Sequence, residues 1–254
     1  LIKFGGLDMI KVDQVIDEAV LWIKNTVEAA GAKGVVFGLS GGIDSAVVAA
    51  LCKKAFHEDS LGIIMPCYSN PVDEEHAKLV AEAIGLKTKT VVLDRAFDTM
   101  KACVGACESD PRLAIANIKA RLRMITVYYN AGIYNYLVAG TGNKSELTIG
   151  YYTKYGDGGV DFMPLTSFVK KEVVELAERL GIPEVVITKP PTAGLWENQS
   201  DEQEMGMTYA ELDNYILTGE GPEHIKNKVE AMNRRSEHKR IPAPKFVPSE
   251  KTGR

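Results

Sequence analysis

The stretch Gly34-Val35-Val36-Phe37-Gly38-Leu39-Ser40-Gly41-Gly42-Ile43-Asp44-Ser45-Ala46-Val47-Val48 decides how this chain folds. Val35 to Leu39 is short and apolar, the pattern of a strand covered on both faces. Ala46 to Ala55 is rich in Ala and Val and reads as a helix. Ser40-Gly41-Gly42-Ile43-Asp44-Ser45 therefore sits at a strand-to-helix turn. Amides at the start of a helix lack internal partners, and the helix dipole adds partial positive charge there. Adjacent glycines let an anion approach the backbone closely. The turn is a phosphate cradle. It lacks the lysine of Gly-x-x-x-x-Gly-Lys-Ser/Thr and the spacing of Gly-x-Gly-x-x-Gly.

Working outward, helices and strands alternate. Val12 to Ala30 places Val12, Val15, Ile16, Val20, Ile23 and Val27 near one face of a first helix, with Gly31 as its C-cap. Leu61 to Pro66 is a second strand. Pro71 to Ile84 is a helix opened by proline and closed by Gly85, and Lys87 to Leu93 is a third strand. Asp94 to Ala106 and Pro111 to Tyr129 read as helices, Asn135 to Gly140 as a fourth strand, and Thr208 to Leu217 and Pro222 to Ser236 as closing helices. The alternation predicts an α/β fold, a three-layer doubly wound parallel sheet in one domain spanning residues 1–254. Ligands of such sheets sit beyond the carboxyl ends of the strands, which singles out the loops after strands one and four. Gly150 to Gly159 and Thr188 to Met207 read as mobile binding loops, and 241–254, with three prolines, as an extended tail.

The 254 residues can bury a core without disulfides or a structural metal. A net charge of −4 gives no chain-wide footprint for nucleic acid. No apolar run has membrane-spanning length, and the first residues lack a signal-peptide pattern. Of the four cysteines, Cys52 and Cys67 read as buried small residues. Cys103 and Cys107 fall on one face of a helix, and packing is the preferred reading for them. His57 and His76 read as surface residues. A reduced, cytoplasmic setting is expected.

Ser-Gly-Gly-x-Asp-Ser resembles the pyrophosphate loop of the PP-loop ATP pyrophosphatases. Further strings resemble NAD synthetases specifically: Gly140-Thr141-Gly142-Asn143-Lys144-Ser145-Glu146, Thr153-Lys154-Tyr155-Gly156-Asp157-Gly158-Gly159, Pro191-Thr192-Ala193-Gly194-Leu195 and His238-Lys239-Arg240. The first differs from the Gly-Thr-Asp-His-Ala-x-Glu form of many bacterial members and is similar to the archaeal or glutamine-dependent branch. The resemblance implies an adenine nucleotide alpha hydrolase-like fold. It implies amidation of deamido-NAD with ATP and ammonia, through an acyl-adenylate, to NAD, AMP and pyrophosphate. The stretch ahead of Ser40 is shorter than a domain of about 50 residues. No N-terminal glutaminase domain is therefore expected, and ammonia is free or comes from a separate glutaminase partner.

The same resemblance implies the site. ATP is held by Gly38, Leu39, Ser40, Gly41, Gly42, Ile43, Asp44, Ser45, Thr141, Lys170 and Thr192. Mg2+ is held by Asp44 and Glu146, a role that oxygen-ligating carboxylates near phosphates suit. Asp44, Glu146 and Lys170 form the catalytic set. Deamido-NAD is held by Arg121, Lys154, Asp161, His238 and Lys239, and the family's homodimer draws its dinucleotide site from both subunits. Without the resemblance, Lys170 reads as a solvated lysine. Arg234, Arg235, His238, Lys239 and Arg240 then read as a solvated basic face. Two rivals stand beside this reading: another PP-loop adenylating enzyme of the tRNA sulfur-transfer or GMP-forming type, and a non-catalytic ATP-binding sensor.

Overall fold

A computed structural model describes residues 9–196 and 199–248. Helix α1 (Met9–Ala29) leads to β1 (Gly34–Gly38), then α2 (Ile43–Phe56), β2 (Ser60–Ile64), α3 (Pro71–Ile84) and β3 (Lys87–Thr90). Helices α4 (Asp94–Cys103) and α5 (Arg112–Tyr134) precede β4 (Tyr136–Val138). The second half is helical: α6 (Lys144–Ile149), α7 (Lys170–Arg179), α8 (Glu184–Ile187), α9 (Asp201–Met205), α10 (Tyr209–Thr218) and α11 (Glu223–Arg240).

The four strands are parallel in the order β3-β2-β1-β4. Strand order reverses between β1 and β4, so the two glycine loops flank the switch point, where a crevice opens. One face of the sheet carries a core of Phe37, Val35, Leu51, Ile23 and Leu176, which joins β1 to α1, α2 and α7. The other face packs Val36, Ile63 and Val138 against Phe97 of α4 and Val127 and Ala131 of α5. These are the three expected layers. Fully burying one such side chain is worth roughly 1.5–3 kcal/mol, so β1 is a rigid base for the loop it feeds. A third cluster, Ile149, Met205, Tyr209, Leu212, Ile225 and Val229, knits α6, α9, α10 and α11 into a helical annex. No described helix is long and apolar enough to cross a membrane.

Several boundaries differ from the sequence reading. Helix α5 runs to Tyr134 because Asn130, which looks like a breaker, is buried: its Nδ2 donates to Thr126 O (2.8 Å) and its Oδ1 accepts from Lys89 Nζ (3.0 Å). The helix stops at Asn135, which takes the left-handed conformation (φ 56°), so β4 starts one residue late. Beyond β3 the chain still follows β2, since the amides of Val91 and Leu93 donate to Ile64 O and Pro66 O (2.9 and 2.8 Å). Helix α11 extends to Arg240 and carries His238 and Lys239 with it. Residues 241–248 form no helix or strand, and 249–254, the rest of the expected tail, lie outside the described residues.

Two other expectations are corrected, for the cysteines and for His76. Cys103 ends α4 while Cys107 lies in the following loop, and both are exposed, so they neither share a helical face nor pack. His76 is buried on α3, with no hydrogen-bond partner for Nδ1 among the described residues. Gly150 to Gly159 is a nest of turns closed by internal bonds from Gly156 N and Gly158 N to Thr153 O and from Thr153 N to Asp157 Oδ1 (2.9, 3.2 and 2.9 Å). Gly150 itself caps α6 at φ +68°, and a Cβ there would meet Ser236 Cβ at 2.1 Å, so α11 packs against bare backbone.

Candidate active site

The crevice is a cleft of about 1100 Å³ beyond the carboxyl ends of β1, β2 and β4. The phosphate loop forms its floor. Gly41 takes φ +77°, and any Cβ would lie 2.1 Å from Asp73 O, so only glycine lets α3 back the loop. Ser45 Oγ donates to Gly42 O (2.8 Å) and lies 3.0 Å from Ser40 Oγ, which accepts from Gly42 N (3.3 Å). These bonds fix the loop. Gly42 caps α2 with no side-chain bond, which leaves the first-turn amides for an anion.

Above the loop three helix starts converge. Asp44 lies in the first turn of α2 and Lys170 opens α7; the ammonium of Lys170 pairs with Asp44 Oδ2. Asn143 caps α6 by a reciprocal box with Glu146, three residues on. The same Asn143 is fully buried and donates from Nδ2 to Asp44 Oδ1 (2.8 Å). One residue thus ties the two expected metal carboxylates together: its side chain holds Asp44, and its backbone amide donates to Glu146 Oε2 (3.3 Å). Tyr209 OH lies 3.4 Å from Glu146 Oε1 and 3.3 Å from Asp201 Oδ2.

Charge balance at this point is unusual. Burial, then the neighbouring charge of Asp44, pushes the Glu146 carboxyl up to about 8, although Lys170 opposes it. Burial works to lower the Lys170 ammonium, but Asp44 and Glu146 outweigh it and hold it above its ordinary value. Once Glu146 ionises, two carboxylates face one ammonium, a deficit that an added cation would fill. Among the described residues no three His, Cys, Asp or Glu side chains gather as a ready-made metal cluster, so phosphate and water oxygens would complete the shell of a divalent ion.

Most sequence-expected residues meet in this cleft: Gly38, Leu39, Ser40, Gly42, Ile43, Asp44, Ser45, Thr141, Glu146, Lys170, Thr192, Arg121, Lys154, His238 and Lys239 line it. Two do not. Gly41 sits behind the loop. Asp161 is anchored elsewhere, accepting from Tyr128 OH and Val138 N (2.9 and 2.8 Å). The basic carboxyl-end cluster is only partly solvated. Lys239 Nζ donates to Gly150 O and Tyr152 O (2.7 and 2.6 Å), and Arg240 Nη1 to Leu147 O (3.0 Å), so both cations complete the end of α6. Lys154 donates to His238 O, joining the Thr153–Gly159 block to α11.

Sequence reasoning overlooked several residues. Asn143 carried a signal, the capping-box spacing to Glu146. Arg123 carried none: it lines the cleft and donates from Nε to Met65 O (3.2 Å) and from Nη2 to Ser69 Oγ (3.1 Å). The strap Thr188 to Trp196 falls in the segment read from the sequence as a binding loop, and it borders the cleft. It is held by Lys189 on Asp73 (2.6 Å), Ala193 N on Asp201 (2.9 Å) and Lys119 on Leu195 O (3.0 Å).

Comparison with known proteins decides among chemistries that such a cleft could host. The NAD synthase profile matches residues 15–243. The chain belongs to the NAD synthase family. An NH(3)-dependent NAD(+) synthetase of Carboxydothermus hydrogenoformans is 53% identical over 91% of this chain and 96% of its own. The NMN synthetase structure from Francisella tularensis superposes with a TM-score of 0.88, at 33% identity, covering 94% of this chain and 98% of that one. The NH3-dependent NAD synthetase of Campylobacter jejuni, solved with a nitrate ion, gives a TM-score of 0.77 at 29% identity and covers 96% and 100%. The doubly wound PP-loop-type fold read from the sequence is the fold of this family.

Proposed function

We propose that this NAD synthase is an ammonia-dependent ligase that amidates deamido-NAD. The observation that carries the proposal is the convergence of Ser40–Ser45, Asp44, Lys170 and Glu146 on one cleft large enough for two nucleotides. Relatives 44–53% identical over 95–98% of their own length are named as ammonia-dependent synthetases. The tRNA sulfur-transfer, GMP-forming and sensor readings have no such support.

The chemistry follows from the charges. A nicotinate carboxylate is a poor acyl donor, because its leaving group would be oxide. One carboxylate oxygen attacks the α-phosphorus of ATP, the bond to the β-phosphate bridging oxygen breaks, and pyrophosphate leaves. Ammonia then attacks the acyl carbon, the carbon–oxygen bond to AMP breaks, and the nitrogen loses a proton to water. The protein's task is to hold two anions in line and neutralise charge as it moves. The first-turn amides of α2, at Ile43 and Asp44, and the hydroxyls of Ser40 and Ser45 hold the pyrophosphate end, with Thr141 and Thr192 as further ATP contacts. Lys170, held by Asp44, stabilises charge on the phosphates. Asp44 and Glu146 would hold Mg2+, which supplies charge neutralisation when bound.

Arg121, Lys154, His238 and Lys239 serve the dinucleotide. Lys239 acts largely by position, since its donors already meet two carbonyls. Asp161 lies away from this protomer's cleft and would reach a dinucleotide only from a partner copy. A homodimer is supported by the outer face of α5, where Ile125, Tyr129 and Ile133 stand exposed four residues apart. Four free thiols agree with a reduced, cytoplasmic setting. The domain uses ammonia directly, free or supplied by a separate glutaminase. The Francisella structure favours one alternative substrate of the same chemistry, the mononucleotide acid.

One assay tests the reading. Purified protein with ATP, Mg2+ and ammonium should release pyrophosphate in step with NAD only when deamido-NAD is present. Glutamine should not replace ammonium. Faster turnover of the mononucleotide acid would shift the substrate, and no turnover of either acid would refute the reading.

A further inference from the structure

A buried joint lies behind the catalytic set. Ser145, the residue before Glu146, is fully buried on α6, and Asp213 of α10 is only 5% exposed. Ser145 Oγ donates to Asp213 Oδ1 (2.5 Å) and accepts from the amide of Lys170 (3.0 Å). The other oxygen, Asp213 Oδ2, accepts from the amide of Lys171 (2.9 Å). Among the described residues no lysine or arginine side chain pairs with this carboxylate. A carboxylate is costly to bury without a counter-ion. Here the amides and positive dipole end of α7 take that place.

Helix α7 has no side-chain cap of its own, because its N-cap position is Val169. Glu172 accepts from the amide of Val169 (2.9 Å), and the next two amides, of Lys170 and Lys171, are capped from outside, by α6 and α10 together. The residue whose amide enters this joint is Lys170, the one whose ammonium meets Asp44. The residue after Ser145 is Glu146. The joint thus fixes the origin of both side chains from the rear, while at the front Asn143 joins Glu146 to Asp44, the partner of Lys170.

We infer that Asp213, through Ser145, is a positioning residue for the ligase reaction: it sets where α7 begins and so where the Lys170 ammonium lies relative to Asp44 and Glu146. This rests on the role assigned to Lys170 above. Misplacing a catalytic group by about 1 Å can cost roughly 100-fold in rate. Such a loss falls on turnover, because ground-state binding of ATP by the Ser40–Ser45 loop does not pass through the joint.

The test is steady-state amidation kinetics on Asp213→Asn, Ser145→Ala, Lys170→Met and the double variant Asp213→Asn/Lys170→Met, with melting temperature measured alongside. Asparagine replaces one of the two acceptor oxygens by an NH2 donor, so the Ser145 hydroxyl and the Lys171 amide no longer each meet an acceptor at its own position. Asp213→Asn should lower kcat roughly 10–100-fold with the KM for ATP and for deamido-NAD changed less than threefold. It should cost little further in the Lys170→Met background, since both act through one group. Equal loss in both backgrounds, raised KM with unchanged kcat, or kcat within twofold of wild type would overturn the inference. Should Asp213→Asn fail to fold, Ser145→Ala carries the same cycle with a smaller loss. If Lys170→Met turns over normally, the lysine's role and the joint's both fall. If Lys170→Met is crippled and Asp213→Asn is normal, only the joint does.

Discussion

The ammonium of Lys170 rests on Oδ2 of Asp44, joining the first turn of α7 to the first turn of α2 across 126 residues of chain. The pair is buried, with side-chain exposures of 9% and 16%. Breaking such a pair on one side leaves an uncompensated charge, so each partner needs the other for folding as well as chemistry. Lys170→Met should leave Asp44 unpaired, lower kcat by roughly 10²–10³-fold and lower the melting temperature. Asp44→Asn should also abolish Mg2+-dependent adenylation. The check is pyrophosphate release together with a thermal melt; near-normal release by either variant contradicts the assignment.

Glu146 predicts how stability and metal binding follow pH. Its folded-state carboxyl is raised to about 8, above the ordinary 4.5. Between those values the native protein holds a proton that the unfolded chain has lost, so stability of the metal-free protein should fall as pH rises through this window. Divalent-ion binding should displace that proton and tighten with pH over the same range. Melting curves from pH 5 to 9, with chelator and with Mg2+, check both. Glu146→Gln should flatten the chelator curve.

Gly41 predicts a steric failure. Gly41→Ala must hold φ +77° and clear Asp73 O from 2.1 Å, so the loop or α3 has to move. Destabilisation should exceed about 1 kcal/mol, and ATP affinity should fall further than deamido-NAD affinity. Denaturant titration and calorimetry separate the two effects. A variant with wild-type ATP affinity would mean that the loop does not hold the nucleotide.

Arg123 predicts a split between nucleotide and nucleoside. Its guanidinium faces the cleft with neutral partners, Met65 O and Ser69 Oγ. Arg123→Met should weaken ATP binding about tenfold or more, consistent with the loss of a charge-assisted contact, and leave adenosine binding nearly unchanged. Competition binding reads the ratio; equal losses would assign Arg123 to loop support alone.

How much of this was legible in the sequence follows from range. The strand-loop-helix at Gly34–Ala50 was readable because its periodicity and glycines are local. So were the Asn143–Glu146 cap spacing and, by resemblance, the residues of the cleft. Helix α5 was read too short because Asn130 and Gly132 look like breakers, whereas burial and the Lys89 contact decide. Lys170 looked like a solvated lysine because its partner lies in the other half of the chain. Asp213 and Arg123 gave no sign, because their roles depend on helix ends brought together only by folding. Cys103 and Cys107 misled for the opposite reason, since the helix assumed for both ends at Cys103.

The central claim is that the cleft makes a carboxylate reactive by joining it to AMP. Deamido-NAD labelled with oxygen-18 in the nicotinate carboxylate, turned over with ATP, Mg2+ and ammonium, tests it most directly. The account predicts one labelled oxygen in the phosphate of AMP and none in pyrophosphate. Label in pyrophosphate or in water, with AMP unlabelled, would contradict it.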